Sequence, residues 1–186
     1  EISCSLVGSE MCIRDSISYA NQPGVSNAHV FSWAGKPWLT QYWVRRVRAQ
    51  AYGAVTPDRG YGGHDEDQGQ MGGISALMAI GLFSLTGNVD QNPSYEITSP
   101  IFDRIEITLD DRYYEKGKFI IQTYHNSAGN CYIRQARLNG KPLHDFRFSH
   151  ADFSKGGLLE LWMGPEPAKK WGIFPKKRSP RPVNQR

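Results

Sequence analysis

Apolar side chains follow a helical spacing in the first part of the chain. From residue 26 to about residue 53 the pattern is helical, and Pro37 divides it, because proline is tolerated in the first turn of a helix and not inside one. In the second of these helices apolar side chains recur at every fourth position, at Leu39, Trp43, Val47 and Ala51. This spacing predicts an amphipathic helix that packs on a core. Three arginines lie off that face and form either a phosphate site or, as we expect, a solvated helix face: Arg45, Arg46 and Arg48.

A second helical stretch follows a glycine-rich loop. Residues 53–64, GAVTPDRGYGGH, combine many glycines with a proline, so we expect a loop there. From residue 70 to about residue 85 apolar side chains occur on nearly all sides, which predicts a buried helix closed by Gly87. The loop would therefore bring three acidic residues to the amino-terminal end of that helix: Asp65, Glu66 and Asp67.

The period of the pattern changes to two beyond Tyr95, which is typical of strands. Three segments alternate in this way, at residues 105–109, 119–124 and 158–163. Asn139-Gly140 is a strong signal for a hairpin turn. The sequence thus predicts an α+β fold, with a helical portion over residues 17–90 and an antiparallel β portion over residues 91–174.

The two ends of the chain differ from the rest. Residues 1–16, EISCSLVGSEMCIRDS, resemble translated sequencing adapter, so we expect them to carry no function; a genuine short strand is the alternative. The net charge is +4, but seven of the 22 Lys and Arg residues follow Glu166, which leaves 15 basic against 18 acidic side chains before that tail. We expect residues 175–186 to be a basic disordered tail, so the positive charge says little about what the folded body binds.

Several classes of protein are disfavoured by what the sequence lacks. No run of about 18 apolar residues occurs, so we expect no membrane span, and the first residues have no signal-peptide pattern. Three cysteines are too few and too scattered for a disulfide framework or a zinc site: Cys4, Cys12 and Cys131. Binding of nucleic acid through the basic tail is disfavoured, because that tail lacks interleaved aromatic residues apart from Trp171 and Phe174.

The stretch GGHDEDQGQM carries the candidate chemistry. Alternate residues of an extended loop point to the same side, so Asp65 and Asp67 can face one cavity while Glu66 faces away. Exposed N–H groups at a helix start favour ionised carboxylates, which suits a general base that activates water. The alternative is an acidic helix cap that contributes up to about 1 kcal/mol. A calcium loop of the EF-hand type fits poorly, because its glycine position does not match.

Several separate motifs, in the same order along the chain, resemble those of glycoside hydrolase family 92. YANQPGVSNAHVFSWAGKPWLTQYWVRRV is similar to the family's G-N-E-P stretch and the aromatic-rich helix with A-G-x-P-W-x-T-Q. GHDEDQGQMGGISALMAIGLFSLTG resembles its acidic block and the helix after it. YEITSPIFDRIEITL, HNSAGNCYIRQARLNGKPL and GGLLELWMGPEPAKKWG are similar to the same enzymes further along. The resemblance covers residues 17–172.

This resemblance implies an exo-acting, inverting α-mannosidase that depends on Ca²⁺. It implies an amino-terminal β-sandwich and an (α/α)6 barrel with the active site between them, and the present chain would hold the last barrel helices followed by the antiparallel β segment. By position, Asp65 and Asp67 match the general-base carboxylates, and Asn21 and Gln22 match the Asn-Glu pair near calcium. The substrate would be terminal mannose of glycans, in an α-1,2-type linkage, and the enzyme would be secreted or periplasmic.

Two further residues, Glu66 and Gln70, are expected to contact the substrate. Inverting glycosidases hold their two carboxyl groups roughly 6.5–9.5 Å apart, so aspartates two residues apart cannot serve as both acid and base. The general acid, the β-sandwich and the other barrel helices would thus lie outside this chain, and the chain alone should be inactive. A non-catalytic glycan-binding or scaffold module, whose acids only cap a helix, is the alternative.

The chain departs from the family pattern at its metal-site motif. Gln22 stands where the family commonly has glutamate, which removes a charge, although an amide oxygen can still bind calcium. Val25 and Ser26 replace paired histidines that follow the motif. We expect this replacement to alter the linkage or the aglycone that is accepted.

Overall fold

The structure is a computed structural model that describes residue 19 and residues 24–56, 69–89, 91–114 and 117–173. The helices in these ranges are a 3-10 turn (Asn27–His29), α1 (Val30–Trp33), α2 (Pro37–Ala51), α3 (Gln70–Ile80) and α4 (His150–Phe153). The strands are β1 (Leu82–Phe83), β2 (Ser94–Ile97), β3 (Arg104–Leu109), β4 (Gly117–Tyr124), β5 (Tyr132–Leu138), β6 (Lys141–Pro142), β7 (Arg147–Ser149) and β8 (Gly157–Gly164). The predicted α+β class is confirmed.

Helix α2 begins at the predicted proline, but its buried face differs from the predicted one. Leu39 and Trp43 are only half-buried, whereas the buried positions are Pro37, Thr40, Gln41, Val44, Val47 and Ala51. The face is shifted because α2 packs against β5 as well as against the helices α1 and α3 and the 3-10 turn. Toward β5, the Gln41 Oε1 accepts a buried hydrogen bond of 3.0 Å from the Ile133 N–H. A polar side chain therefore occupies a core position that an apolar pattern cannot reveal.

Helix α3 is shorter than predicted. It ends at Ile80, followed by Gly81 with φ of +80°, and not near Gly87. A Cβ at Gly81 would lie 2.6 Å from the Pro100 ring, so the chain turns here where only glycine fits. The next two apolar residues form β1, which pairs with β2. The prediction that this helix is buried on nearly all sides is also wrong, because Leu77 is 39% exposed.

The strands form two sheets, and one pairing corrects the sequence analysis. The smaller sheet has the order β1-β2-β7 and is antiparallel. The larger has the order β3-β4-β8-β5-β6, in which β4 and β8 are parallel. The prediction of a purely antiparallel β portion is therefore wrong for this pair, because alternation of side chains looks the same in either direction. The turn at Asn139 and Gly140 is confirmed, with φ of 50° and 77° as a type I′ hairpin requires.

Two apolar clusters form the core. The sheet cluster contains Leu82, Ile97, Leu109, Phe119, Ile121, Ile133, Ala136, Phe146, Phe148, Phe153, Leu159, Leu161, Met163 and Trp171. The helical cluster contains Tyr19, Val25, Ala28, Val44, Val47, Ala51, Tyr52, Met71, Ile74, Met78 and Phe83. Strand β1 contributes to both, since successive strand residues point to opposite faces. Among the residues that the structure describes, no helix combines the length and apolar composition needed to cross a membrane.

Arg45 joins α2 to the β portion, in contrast to the solvated face predicted for the arginines. Its Nε donates to the Ser99 carbonyl oxygen at 3.0 Å and to the Ser99 Oγ at 2.9 Å. Its Nη2 donates to the Pro100 carbonyl oxygen and to the Asn126 Oδ1. Arg46, one residue on, is exposed and donates to the Tyr42 hydroxyl at 3.1 Å, as a solvated face would. Arg45 is thus half-buried and connects α2 to the β portion.

His29, the last residue of the 3-10 turn, is fully buried against the small sheet. Its ring stacks on Phe83 with centroids 3.7 Å apart. Burial lowers the pKa of His29 to about 3, and the Ser26 backbone opposes this only in part. The imidazole is therefore neutral in the folded protein at any pH near neutrality.

We expect Arg45→Lys to lower the free energy of unfolding by about 2–3 kcal/mol, because an ammonium group cannot make the divergent bonds of the guanidinium. Denaturant unfolding of this chain measures the change. Arg46→Lys is the matched control and should change stability by less than about 0.5 kcal/mol. Equal small effects of both substitutions would contradict a structural role for Arg45.

We expect the free energy of unfolding to fall by roughly 2 kcal/mol between about pH 7 and about pH 5 through His29 alone. The unfolded state takes up a proton near the ordinary histidine pKa, whereas the folded state does so only near a pKa of about 3, so acid favours unfolding. His29→Phe keeps the stacked ring and should remove this part of the pH dependence. His144→Gln, at an exposed position, should leave it unchanged. An unaltered pH dependence in His29→Phe would refute the assignment.

Candidate active site

Five of the six predicted site residues lie outside the described residues: Asn21, Gln22, Asp65, Glu66 and Asp67. Their roles therefore stay predictions. Gln70 is described and forms the first residue of α3, where it is half-buried. The structure does describe the elements to which both site-bearing segments, residues 20–23 and 57–68, are attached.

The segment that contains the predicted metal ligands is held on both sides by the helical cluster. Tyr19 precedes residues 20–23 and is buried, and Val25 follows them closely and is also buried. The Tyr52 hydroxyl donates a buried hydrogen bond of 2.8 Å to the Tyr19 carbonyl oxygen. Burial raises the pKa of Tyr19 to about 12 and also raises that of Tyr52, so both phenols stay neutral. Neither tyrosine therefore contributes a charge beside the predicted metal ligands.

The segment that contains the acidic block is held by the same cluster. Tyr52 lies shortly before residues 57–68, and Met71 lies shortly after them, at the start of α3. Both side chains are almost inaccessible to solvent and belong to the helical cluster. The two site-bearing segments thus extend from a single packed body.

The start of α3 bears on the alternative that the acidic block merely caps a helix. The N-cap is Gly69, with φ of +92° and no side-chain cap, and the first turn contains no acidic residue. The three acids precede this N-cap in the sequence. They lie outside the described residues, so the helix cap remains an alternative to the predicted general base.

Glu96 is an additional buried acid that the sequence analysis missed. It is 1% exposed, and its Oε1 accepts hydrogen bonds from the Trp33 Nε1 at 2.7 Å and from the Leu85 N–H at 2.9 Å. In SYEITS it alternates with apolar neighbours and therefore looks like an outward-facing strand residue. Only the presence of the helices on that face of β2 would have revealed its burial. In the described ranges, no group of three or more His, Cys, Asp or Glu residues could hold a metal.

Comparisons with known proteins identify the family. The family model of the glycosyl hydrolase family 92 catalytic domain matches residues 9–165. An uncharacterized secreted glycosidase of Arthroderma benhamiae is 30% identical over 155 residues, which covers 82% of this chain and 19% of that protein. The present chain thus spans about a fifth of the length of that relative.

Two solved structures from Bacteroides thetaiotaomicron are similar. A family 92 α-mannosidase has a TM-score of 0.74 at 23% identity over 84% of this chain and 20% of that one, a likeness that shows the fold alone. An inverting mannosidase of the same family, from strain VPI-5482, has a TM-score of 0.72 at 31% identity, again over 84% of this chain and 20% of the other. The resemblance inferred from the ordered motifs is confirmed, and the chain belongs to glycosyl hydrolase family 92.

Proposed function

We propose that this chain is part of a calcium-dependent exo-α-mannosidase that removes terminal α-linked mannose, of the α-1,2 type, with inversion of configuration. Membership of the family supports a glycosidase, and the 31% identical relative is an inverting mannosidase. The observation that carries the proposal is the match of the family's catalytic-domain model to residues 9–165. In this proposal α2 and α3 are late helices of an (α/α)6 barrel, and the whole enzyme is secreted or periplasmic, as the name of the fungal relative suggests for that protein.

The proposed general base is the pair Asp65 and Asp67. They precede α3, whose first N–H groups favour negative charge nearby, so both carboxylates would stay ionised and able to hold and deprotonate the attacking water. Glu66 and Gln70 would contact the mannose. The general acid would come from a part of the enzyme outside this chain, because an inverting reaction needs it on the opposite side of the glycosidic bond.

Asn21 and Gln22 are the proposed contribution of this chain to calcium binding. Their amide oxygens are the hard ligands that calcium accepts. Both are neutral, so the negative charge of such a site must come from other ligands. When bound, calcium would engage hydroxyl groups of the mannose being distorted. The role of this chain is to hold the two amides in place, through the buried residues on either side of residues 20–23.

We expect Asp67→Asn and Asp65→Asn, in the whole enzyme, to lower turnover by roughly 10²–10⁴-fold, the usual scale for losing a general base. The thermal midpoint should barely move, because asparagine keeps the shape of aspartate and its amide oxygen can still accept a hydrogen bond at a helix start. Turnover of an α-mannoside and thermal unfolding are measured on the same preparations.

Asp111→Asn is the matched control, since Asp111 is exposed in a turn distant in sequence from the acidic block. It should leave both turnover and the thermal midpoint unchanged. Full turnover in both Asp65→Asn and Asp67→Asn would remove the residue-level support for the mannosidase proposal.

We expect EDTA to abolish the activity of the whole enzyme and Gln22→Ala to weaken calcium binding at least roughly tenfold, which corresponds to about 1.4 kcal/mol. Titration calorimetry measures the affinity independently of turnover. Gln50→Ala, at an exposed position near the end of α2, is the control that should change neither quantity. If Gln22→Ala retained both calcium affinity and rate, the assignment of this segment to the metal site would have to be abandoned.

A further inference from the structure

One carboxyl oxygen receives hydrogen bonds from two segments that are far apart in sequence. The Glu96 Oε1 accepts the Trp33 Nε1–H at 2.7 Å, across 63 residues, and the Leu85 N–H at 2.9 Å. Trp33 ends α1, which continues from the segment of the predicted metal ligands. Leu85 follows α3 and β1, which continue from the acidic block. The continuations of both site-bearing segments therefore meet at one atom.

The surroundings of Glu96 explain why it is held there. Across the small sheet its register partners are Phe83 on β1 and Arg147 on β7. The Arg147 guanidinium lies 4.7 Å from the centre of the Trp33 ring, and its Nε is 3.8 Å from the Asp145 Oδ1. The indole is thus restrained at two points, at its Nε1–H by Glu96 and over its ring by Arg147.

The other carboxyl oxygen, Oε2, is buried and has no hydrogen-bond partner among the described residues. Burial raises the pKa of Glu96, while the Leu85 N–H, the Trp33 indole and the charge of Arg147 act in the opposite direction. The other titratable groups on this face are Asp145, which pairs with Arg147, and His29, which stacks on Phe83. The folded state therefore favours the protonated acid more than water does, so the contribution of Glu96 to the free energy of unfolding falls as the pH rises through its raised pKa.

We propose that Glu96 is a positioning residue that clasps α1 to the turn after β1 and thereby holds the two site-bearing segments in their mutual arrangement. We call the two hydrogen bonds at the Glu96 Oε1 the clasp. The effect of the clasp on catalysis rests on the proposed function, whereas the two hydrogen bonds do not depend on it. An acceptor at the Oε1 position is what the clasp requires. A glutamine provides that acceptor without titrating, and a leucine of similar size provides none.

The experiment compares Glu96→Gln and Glu96→Leu in the whole enzyme, with Glu106→Gln as the control. Glu106 is an exposed acid on the outer face of the large sheet, bound to Arg104 and Lys118. The protection factors of the Trp33 indole N–H and the Leu85 amide are measured by hydrogen exchange over a range of pH. Calcium affinity and the turnover of an α-mannoside are measured on the same proteins.

In Glu96→Leu, the two protection factors should fall roughly 10- to 100-fold, as the loss of bonds to a carboxyl group implies, and calcium affinity and turnover should fall with them. Glu96→Gln should retain protection, calcium affinity and turnover, because its amide oxygen still accepts both hydrogen bonds, and Glu106→Gln should behave as the wild type.

Unchanged protection factors in Glu96→Leu would overturn the proposal. It would also be overturned if the protection factors fell in Glu96→Leu while calcium affinity and turnover stayed unchanged. The same holds for a loss of protection in Glu96→Gln equal to that in Glu96→Leu, because glutamine still provides the acceptor oxygen. If the wild type neither binds calcium nor cleaves mannosides, the proposed function fails, while the protection factors still test the clasp.

Discussion

Hydrogen bonds from polar side chains of α2 connect this helix to the β portion, and the arrangement of the remaining elements depends on them. Gln41 accepts a hydrogen bond from the backbone of β5, and Arg45 donates to the loops around Ser99 and Asn126. These bonds satisfy backbone groups that would otherwise be buried without partners, which is costly. They are directional, whereas apolar contact is not, so they set the orientation of α2 relative to the sheet. Through α2 they also set the positions of the helical cluster and of the two site-bearing segments attached to it.

The layer between the helices and the small sheet is polar but carries little charge. Burial disfavours ionisation of both His29 and Glu96, yet with opposite consequences for stability. Acid favours unfolding through the histidine, whereas alkali does so through the glutamate. The layer is therefore most stable at intermediate pH. Because Glu96 also receives bonds from α1 and from the turn after β1, the same layer links the stability of the fold to the geometry of the site.

Each difference between the predicted and the observed structure has a physical cause. The apolar run after Met71 suggested one long helix, but Gly81 lies against Pro100 and the run divides into a helix and a strand. The alternating segments were recognised as strands, but not the parallel pairing of β4 with β8, because alternation records which side is buried and not which strand is adjacent. Glu96 and Arg45 looked solvated for the same reason, since their burial depends on elements distant in the chain.

The amino-acid sequence by itself determined the α+β class, the start of α2, the hairpin at Asn139, and the family, through motifs that occur in the family's order. These properties depend on local spacing and on residue types, which the sequence records directly. Only the tertiary structure decided which face of α2 is buried and where α3 ends. It also decided that a single oxygen of Glu96 joins α1 to the turn after β1. Such features arise where distant segments meet, because a hydrogen bond or a steric limit depends on distances between residues that sequence spacing does not contain.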